Sequence, residues 1–334
     1  MAANPEKLRL ARTISRKEIV LSVARVPGSS RVIFGGSDGT VYDLDLAGAK
    51  SEAMTLGSHQ SYVTGVALAG TTVVSGGYDG RLIWWDLSQR RQLRAIAAHR
   101  KWIRAVLASR DGQMIASVAD DMVCRLWDAA SGKLLRELRG GHQEMTPHHF
   151  LSMLYACALS PDAKYIATGD KVGHAVIWEV ATGKPVVALE VPELYTWDPV
   201  QRRHSIGGLR ALAFSPDGQS LAVGGIGKIG NIDHLDGKAR VEVFDWRKGA
   251  RTHEFVSDNF KGLVERLVFH PQGGWLLGVG GANDGFLLFF DLKTKKIIRQ
   301  EKAVAHLHDA VLNEGGDTLY AAGHQQLAIF DMKG

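Results

Sequence analysis

The sequence predicts an all-β fold built from seven similar four-stranded antiparallel units. The first observation is a pair, an aromatic or aliphatic residue followed by an acid, that recurs along the chain. The second is a series of short β-branched runs separated by tight turns such as Asp111-Gly112, which is the pattern of successive hairpins. The third is the composition, because 38 glycines against nine prolines in 334 residues fit a chain with many tight turns.

The recurring pair gives the repeat its length. Its seven copies are Leu44-Asp45, Trp85-Asp86, Trp127-Asp128, Trp178-Glu179, Phe244-Asp245, Phe290-Asp291 and Phe330-Asp331. From acid to acid the intervals are 41, 42, 51, 66, 46 and 40 residues. A period near 40 with four short strands per repeat is typical of a β-propeller, in which each repeat forms one blade.

Seven such repeats occupy nearly the whole chain, so we expect a single domain. The predicted blades are approximately 15–57, 58–98, 99–141, 142–190, 191–252, 253–302 and 303–334. The last repeat stops after its third strand. We therefore expect residues 7–14 to supply the missing outer strand and to close the ring, which would remove an exposed sheet edge.

The third repeat shows the elements of one blade most clearly. Its strands are predicted at 102–108, 114–118, 123–127 and 134–138. A His precedes the first strand, a Ser lies in the second, an Asp lies in the following turn and a Trp ends the third. Four polar groups placed this way along one sheet can satisfy one another and stiffen the blade.

These residues resemble the WD40-repeat family, whose members carry a hydrogen-bonded His-Ser/Thr-Asp-Trp tetrad in each complete repeat. The resemblance implies a structural role for the matching residues, which are His59, Ser75, Asp79 and Trp85 in repeat two and His99, Ser117, Asp121 and Trp127 in repeat three. Repeat four keeps His142, Thr168 and Trp178, but Val172 stands at the position of the acid. Repeats one, six and seven have Leu44, Phe290 and Phe330 in place of Trp, so we expect apolar packing there instead.

Three stretches exceed the length of the third repeat. They lie at about 142–154, 191–204 and 225–240, with excesses of nine, 13 and 11 residues. The first two lead into blades four and five, and the third joins the second and third strands of blade five. Connections of these two kinds emerge on the same face of a blade. Long loops on a rigid scaffold often carry binding sites, so this face is the predicted interaction surface. The alternative is that the loops cover one another.

The candidate partner-binding residues follow from this placement. The second insertion carries Tyr195, Trp197, Arg202 and Arg203, which are residue types enriched at interaction hot spots. The resemblance implies further contacts beside the tetrads, at Tyr62, Tyr78, Trp102, Arg104 and Asp120. Aromatic rings near an arginine and a carboxylate suit a short peptide of mixed charge. The alternative for Tyr62 and Trp102 is that they cap the sheet.

Composition limits the other functions. No apolar run resembles a signal peptide, and none approaches the 18 residues of a membrane span. Cys124 and Cys157 fall in different predicted sheets, so we expect no disulfide and a cytoplasmic protein. Residues 1–140 hold 20 Lys and Arg against 13 Asp and Glu. This basic part is interpreted as a solvated surface, or as the docking site of an acidic partner. The scattered charges do not favour nucleic acid.

The favoured function is therefore a non-enzymatic scaffold that binds a protein or peptide, with no cofactor or metal, and that is a monomer. The alternative is an enzyme or a metal- or small-ligand-binding protein with its site at the mouth of the central channel. His148, His149, His204 and His234 would then provide the ligands. Outside the tetrads, no Ser/His/Asp or Cys/His arrangement suggests a nucleophile.

Overall fold

The computed structural model describes residues 3–48, 51–198, 204–230 and 234–333. These residues form seven four-stranded antiparallel sheets and one two-stranded sheet, the strand arrangement of a seven-bladed β-propeller. The chain divides into two compact units, Met1–Glu137 with His308–Gly334, and Leu138–Leu307. In the described ranges the helices are short 3-10 turns, Pro5–Lys7 and Pro192–Leu194. None is long and apolar enough to cross a membrane.

The first unit begins with β1 (Arg9–Ser15) and continues with three sheets of consecutive strands. The first sheet contains β2 (Val20–Arg25), β3 (Arg31–Gly36), β4 (Thr40–Asp45) and β5 (Ala53–Ser58). The second contains β6 (Val63–Ala69), β7 (Thr72–Gly77), β8 (Arg81–Asp86) and β9 (Arg91–Ala97). The third contains β10 (Ile103–Ala108), β11 (Met114–Ala119), β12 (Cys124–Asp128) and β13 (Leu134–Leu138), close to the predicted bounds.

The second unit contains three more sheets and a separate hairpin. The fourth sheet contains β14 (Leu154–Leu159), β15 (Tyr165–Asp170), β16 (His174–Glu179) and β17 (Pro185–Glu190). The hairpin is β18 (Tyr195–Asp198) with β19 (His204–Gly207). The fifth sheet contains β20 (Ala211–Phe214), β21 (Ser220–Ile226), β22 (Lys238–Asp245) and β23 (Ala250–Lys261). The sixth contains β24 (Leu263–Phe269), β25 (Leu276–Gly281), β26 (Gly285–Asp291) and β27 (Lys296–Ala303).

The seventh sheet joins the two ends of the chain. Its strands are β28 (Leu307–Leu312), β29 (Thr318–Gly323) and β30 (Gln326–Asp331). The N-terminal β1 lies antiparallel to β30, with Arg9 opposite Asp331 and Ser15 opposite Gln326. The early segment therefore does supply the fourth strand of this sheet.

The acid of each recurring pair closes the turn that follows the third strand. The carboxylate of Asp86 accepts hydrogen bonds from the backbone N–H groups of Ser88 and Gln89, at 2.9 Å each. Asp128 accepts from the N–H of Ser131 in the same way, at 2.7 Å. Side-chain acceptors two or three residues before a turn amide stabilise such turns. This explains why an acid recurs at these positions.

The aromatic or aliphatic member of the pair packs in the core between sheets. Trp85, Trp127 and Trp178 are buried, and so are Leu44, Phe290 and Phe330 in the repeats that lack Trp. The ring of Phe290 lies 4.9 Å from that of Phe255, centroid to centroid. Apolar packing therefore does replace the tetrad at these positions, as the sequence predicts.

Candidate functional site

The predicted tetrads are formed in repeats two and three. In repeat two, Trp85 Nε1 donates to Ser75 Oγ at 2.8 Å, and Ser75 Oγ lies 2.8 Å from His59 Nε2. His59 Nδ1 lies 3.0 Å from Asp79 Oδ1. Repeat three forms the same series of hydrogen bonds, from Trp127 through Ser117 and His99 to Asp121, with distances of 3.0, 2.8 and 3.0 Å.

The chemistry of the side chains decides which group donates in each hydrogen bond of a tetrad. The indole of Trp can only donate, so the serine hydroxyl accepts from it and donates its own proton to the histidine Nε2. The Nδ1 proton of the histidine then points to the aspartate. The order Ser-His-Asp is that of a hydrolytic triad, but Ser75 and Ser117 are fully buried behind the indoles. A substrate cannot reach these hydroxyls, which supports their structural role.

The charges of the tetrads are stabilised locally. Burial opposes ionisation of Asp79, but hydrogen bonds from His59 and from the N–H groups of Gln60 and Arg81 hold the pKa of Asp79 below its usual range. Burial likewise opposes ionisation of Asp121, but hydrogen bonds from His99 and Arg125 outweigh this effect and lower the pKa of Asp121. Burial lowers the pKa of His99 itself, which keeps the ring neutral.

The interpretation of repeat four as lacking its acid is wrong. His142 Nδ1 lies 2.9 Å from Asp170 Oδ2, while His142 Nε2 and Trp178 Nε1 each lie 2.8 Å from Thr168 Oγ1. Asp170 is the last residue of β15 and lies opposite Leu154, as Gly77 of β7 lies opposite Val63. A Cβ on Gly77 would lie 3.2 Å from His59 Nδ1. An acid two residues earlier in the repeat therefore reaches the same histidine.

The tetrad of repeat three has a fifth member that the four-residue pattern does not predict. Arg125 donates from its Nη1 to Asp121 Oδ2 at 3.0 Å and from its Nε to Glu137 at 2.6 Å. The side chain of Arg125 is only 9% exposed. The corresponding residues in repeats two and four are Ile83 and Val176. A charged residue at a position that is apolar in the neighbouring repeats was therefore the sequence signal for this interaction.

The aromatic candidates come together beside the second and third tetrads. The N–H of Tyr78, just after β7, donates to the carbonyl of Tyr62, just before β6, at 2.9 Å. Asp120 and Trp102 are joined by the same backbone bond in the next repeat, at 3.0 Å. The repeat geometry thus holds the backbone of all four residues in place.

The side chains of Tyr62, Tyr78 and Trp102 form a continuous row, named here the aromatic row. Tyr78 and Trp102 are stacked with centroids 4.4 Å apart and planes 6° apart, and Tyr62 lies 5.6 Å from Tyr78. Tyr62 and Trp102 remain 47% and 49% exposed. The structure therefore places a large aromatic surface in contact with solvent on a rigid backbone.

Arg104 and Asp120 support the aromatic row and pair with each other. The backbone register shifts at Arg104 between Ile103 and Ala105, so this residue is a bulge in β10. Its Nε and Nη2 donate to the two oxygens of Asp120 at 2.7 and 2.8 Å, and its Nη1 donates to the hydroxyl of Tyr78 at 2.7 Å. Asp120 is 8% exposed. The two charges satisfy each other, so they do not supply the mixed-charge surface that the sequence suggests.

The three insertions also come together, within the second unit, and are named here the insertion cluster. The ring of His148 stacks on Trp197 with centroids 4.0 Å apart, and Phe150 lies 5.4 Å from Trp197. Lys228 Nζ donates to the carbonyls of Pro192 and Tyr195 at 2.9 and 2.7 Å. The predicted convergence on one region is therefore observed, and the loops also cover one another.

The second insertion is a hairpin rather than an open loop. Strands β18 and β19 pair with Tyr195 opposite Gly207. Trp197 is partly covered by the first insertion, whereas Met145, Phe150 and Leu151 are 43%, 42% and 57% exposed. Arg202 and Arg203 lie outside the described residues. The exposed apolar part of this region thus comes from the first insertion, whose Met145, Phe150 and Leu151 were not among the predicted partner-binding residues.

One histidine of the alternative function packs on an aromatic ring. His148 lies against the indole of Trp197, and no group of three or more His, Cys, Asp or Glu side chains with the geometry to hold a metal occurs in the described part of the chain. Cys124 and Cys157 are free and buried, and burial raises the pKa of the Cys157 thiol to about 12.

Comparisons with known proteins agree with this geometry. The profile described as "WD domain, G-beta repeat" matches residues 50–86 and 90–128, which contain most of repeats two and three. The chain is 25% identical over 259 residues to telomerase protein component 1 of Mus musculus, covering 78% of this chain and 8% of that protein. It is 28% identical over 172 residues to nuclear distribution protein PAC1 of Arthroderma benhamiae, covering 47% of this chain and 34% of that protein.

A third relative is subunit I of eukaryotic translation initiation factor 3 from Bombyx mori. It is 27% identical over 175 residues, which cover 52% of this chain and 47% of the relative. The chain thus spans less than half the length of each of these three relatives. The chain thus contains WD40 repeats, and its three complete tetrads and seven four-stranded sheets are those of a seven-bladed WD40 β-propeller.

Proposed function

We propose that this protein is a non-enzymatic interaction module that binds a protein or peptide through the aromatic row of its first unit. The observation that carries the proposal is the exposure of Tyr62 and Trp102, at 47% and 49%, on a backbone fixed by two repeats. Rigid aromatic residues supply much contact area at a small entropy cost and are enriched at interaction hot spots.

The support beneath the row favours binding over simple capping of the sheet. Arg104 holds Tyr78 through its hydroxyl, and its guanidinium carbon lies 5.1 and 5.3 Å from the ring centres of Tyr78 and Trp102. The row is therefore ordered before any partner arrives, which reduces the entropy lost on association. A side chain that only capped the sheet would need less support and would be less exposed.

The relatives fit a scaffold better than a shared reaction. Their names refer to telomerase, nuclear distribution and translation initiation, which are different processes. The polar chains that resemble a hydrolytic arrangement are buried in the blades. Fold-level likeness is an association rather than a mechanism, so the proposal depends on the surface and not on the relatives.

We also propose the insertion cluster as a second contact region. Its proposed contact residues are Tyr195, Trp197, Arg202 and Arg203 of the second insertion. Its support is the packing of His148 and Phe150 on Trp197, beside the exposed side chains of Met145 and Leu151. Replacing Phe150 and Leu151 by Ser should weaken partner capture without loss of folding. Unchanged capture would remove this region from the proposal.

The experiment for the aromatic row compares two exposed hydrophobic residues of the same repeat. Purified full chain, Trp102→Ala and Leu135→Ala are immobilised and exposed to extract of the source cells, and bound proteins are quantified by mass spectrometry. Leu135 is 52% exposed on β13, away from the row. A hot-spot tryptophan should cost about 2 kcal/mol or more, or about 30-fold in affinity. Equal capture by Trp102→Ala and Leu135→Ala would refute the assignment.

Two further expectations remain proposals. Free cysteines that are both buried fit a reducing compartment, so we propose that the protein acts in the cytoplasm. We also propose that it is a monomer, which sedimentation of the purified chain would test.

A further inference from the structure

Two exposed cations lie beside the aromatic row. Arg100 and Lys101 precede Trp102, and all three line a surface pocket of about 370 Å³ together with Tyr78, Asp79 and Asp120. The backbone N–H of Arg100 donates to Asp121 at 3.2 Å, but neither cationic side chain forms an ion pair with any residue that the structure describes. Their charges therefore face solvent at the rim of the pocket.

The acids near this pocket already accept hydrogen bonds from other groups of the protein. Asp79 accepts from His59, from the N–H of Gln60 and from the N–H of Arg81. Asp120 is held by Nε and Nη2 of Arg104. Asp121 is bound by Arg125 and by His99. Arg104 and Arg125 offset the charges of Asp120 and Asp121. Arg100 and Lys101 outnumber the remaining acid, Asp79, so the net charge that the pocket offers a ligand is positive.

We propose that the partner segment bound here is an acidic peptide, with Asp or Glu side chains on Arg100 and Lys101 and an aromatic or proline side chain against Trp102. This inference rests on the proposed function, because it requires the aromatic row to be a binding surface. It replaces the mixed-charge ligand suggested by Arg104 and Asp120. The excess of 20 basic over 13 acidic residues in 1–140 would also attract such a segment from a distance.

The geometry favours a peptide over single-stranded nucleic acid. Nucleic acid needs a basic groove that follows the backbone and separate rings on which successive bases can stack. Here Trp102 stacks on Tyr78 and Tyr62 lies tilted against Tyr78, so the rings pack on one another. The unpaired cations are adjacent in one pocket. One short contact with a few carboxylates matches this arrangement better.

A random ten-residue peptide library displayed on phage tests the proposal with the full chain as bait. The variants are Arg100→Glu with Lys101→Glu, Trp102→Ala, and a control with Arg110→Glu and Lys133→Glu. The control changes two exposed cations of the same repeat that lie outside the pocket. The wild type and the control should enrich Asp and Glu several-fold over the unselected library, whereas the charge-reversed pocket should lose this enrichment.

The outcomes separate the two proposals. If the wild type enriches no peptides that depend on Trp102, the proposed function fails at this surface. If it enriches Trp102-dependent peptides that are neutral or basic, or if acidic enrichment persists in the charge-reversed variant, only the acidic-partner inference fails. Fluorescence anisotropy with a 20-nucleotide poly-dT probe completes the test. The peptide assignment would be overturned if the protein bound this probe more tightly than the best peptide and the charge-reversed variant did not bind the probe.

Discussion

Arg104 binds both carboxylate oxygens of Asp120, and the two side chains are only 18% and 10% exposed. Arginine paired in this bidentate manner is fixed in orientation as well as in position. Its remaining nitrogen donates to the hydroxyl of Tyr78, so the ion pair also sets the position of the ring on which Trp102 stacks. A residue that resembles a ligand contact therefore acts mainly as a support for the aromatic row.

Replacement of Arg104 by Ala should destabilise the protein, because it leaves the carboxylate of Asp120 largely buried and without its donor. We expect a loss of about 2 kcal/mol in the free energy of unfolding, measured by urea denaturation. Arg104→Ala combined with Asp120→Ala should recover part of that loss, because the unpaired charge is gone. A double variant as unstable as the sum of the two single variants would contradict this account.

The tetrad of repeat four makes a similar prediction at Asp170. This side chain is fully buried and accepts hydrogen bonds from His142 and from the N–H groups of Val172 and His174. Asp170→Ala should cost about 3 kcal/mol or more, because several buried donors lose their acceptor. Val172→Ala, the matched control at the position expected to hold the acid, should cost about 1 kcal/mol. Similar losses of stability for the two variants would indicate that Asp170 does not serve as the acid of this tetrad.

The repeat period predicts the fold because each blade must bury its apolar strands against its neighbours. The spacing of the Trp-Asp pairs is thus enough to place seven sheets and the N-terminal strand. The tetrads of repeats two and three follow for the same reason, since their residues fall at constant spacing. Asp170 escapes this reasoning because two positions of one repeat lie equally close to the histidine, as Gly77 and Asp79 show. Sequence spacing alone cannot distinguish them.

The candidate site is less predictable than the fold. The family resemblance points to Tyr62, Tyr78 and Trp102, which the structure brings together. It cannot show that Arg104 and Asp120 neutralise each other. Side-chain pairing depends on the bulge in β10, which aims Arg104 at Asp120 and has no separate mark in the sequence. The same limitation hides Arg100 and Lys101, which are recognisable as open cations only when the partners of the nearby acids are known.

The pH dependence of stability should reflect the buried tetrads. Burial lowers the pKa of His99 below its ordinary value of 6.5, so the unfolded chain binds a proton there more readily than the folded chain. Stability is therefore complete above pH 6.5 and decreases as the pH falls below it. The lowered pKa values of Asp79 and Asp121 add a further loss below about pH 4, as the unfolded carboxylates take up protons first.

Urea denaturation at intervals from pH 8 to pH 3 measures this dependence through the free energy of unfolding. Trp85 and Trp127 lie in the tetrads and report their loss by fluorescence. A free energy that stays constant or rises as the pH falls from 6.5 to 4 would show that His99 is not held neutral in the folded protein.

Gly207 should be indispensable for the hairpin of the insertion cluster. Its φ is +111°, and a Cβ there would overlap the carbonyl oxygen of Leu194. Gly207→Ala combines a backbone conformation that L-residues avoid with a clash against rigid backbone, so we expect a loss of about 2 kcal/mol or more. Gly274→Ala is the matched control in the same unit, because open space surrounds that position. It should change stability by less than about 0.5 kcal/mol.

Hydrogen exchange measured by mass spectrometry locates the effect of the Gly207 change. Faster exchange should appear in peptides from β18 and β19 and in the first insertion, because His148 and Phe150 pack on Trp197 of that hairpin. The first unit should keep its wild-type protection. If Gly207→Ala leaves exchange in the hairpin unchanged, the close contact with Leu194 does not hold these strands in place, and the insertions do not depend on one another for their order.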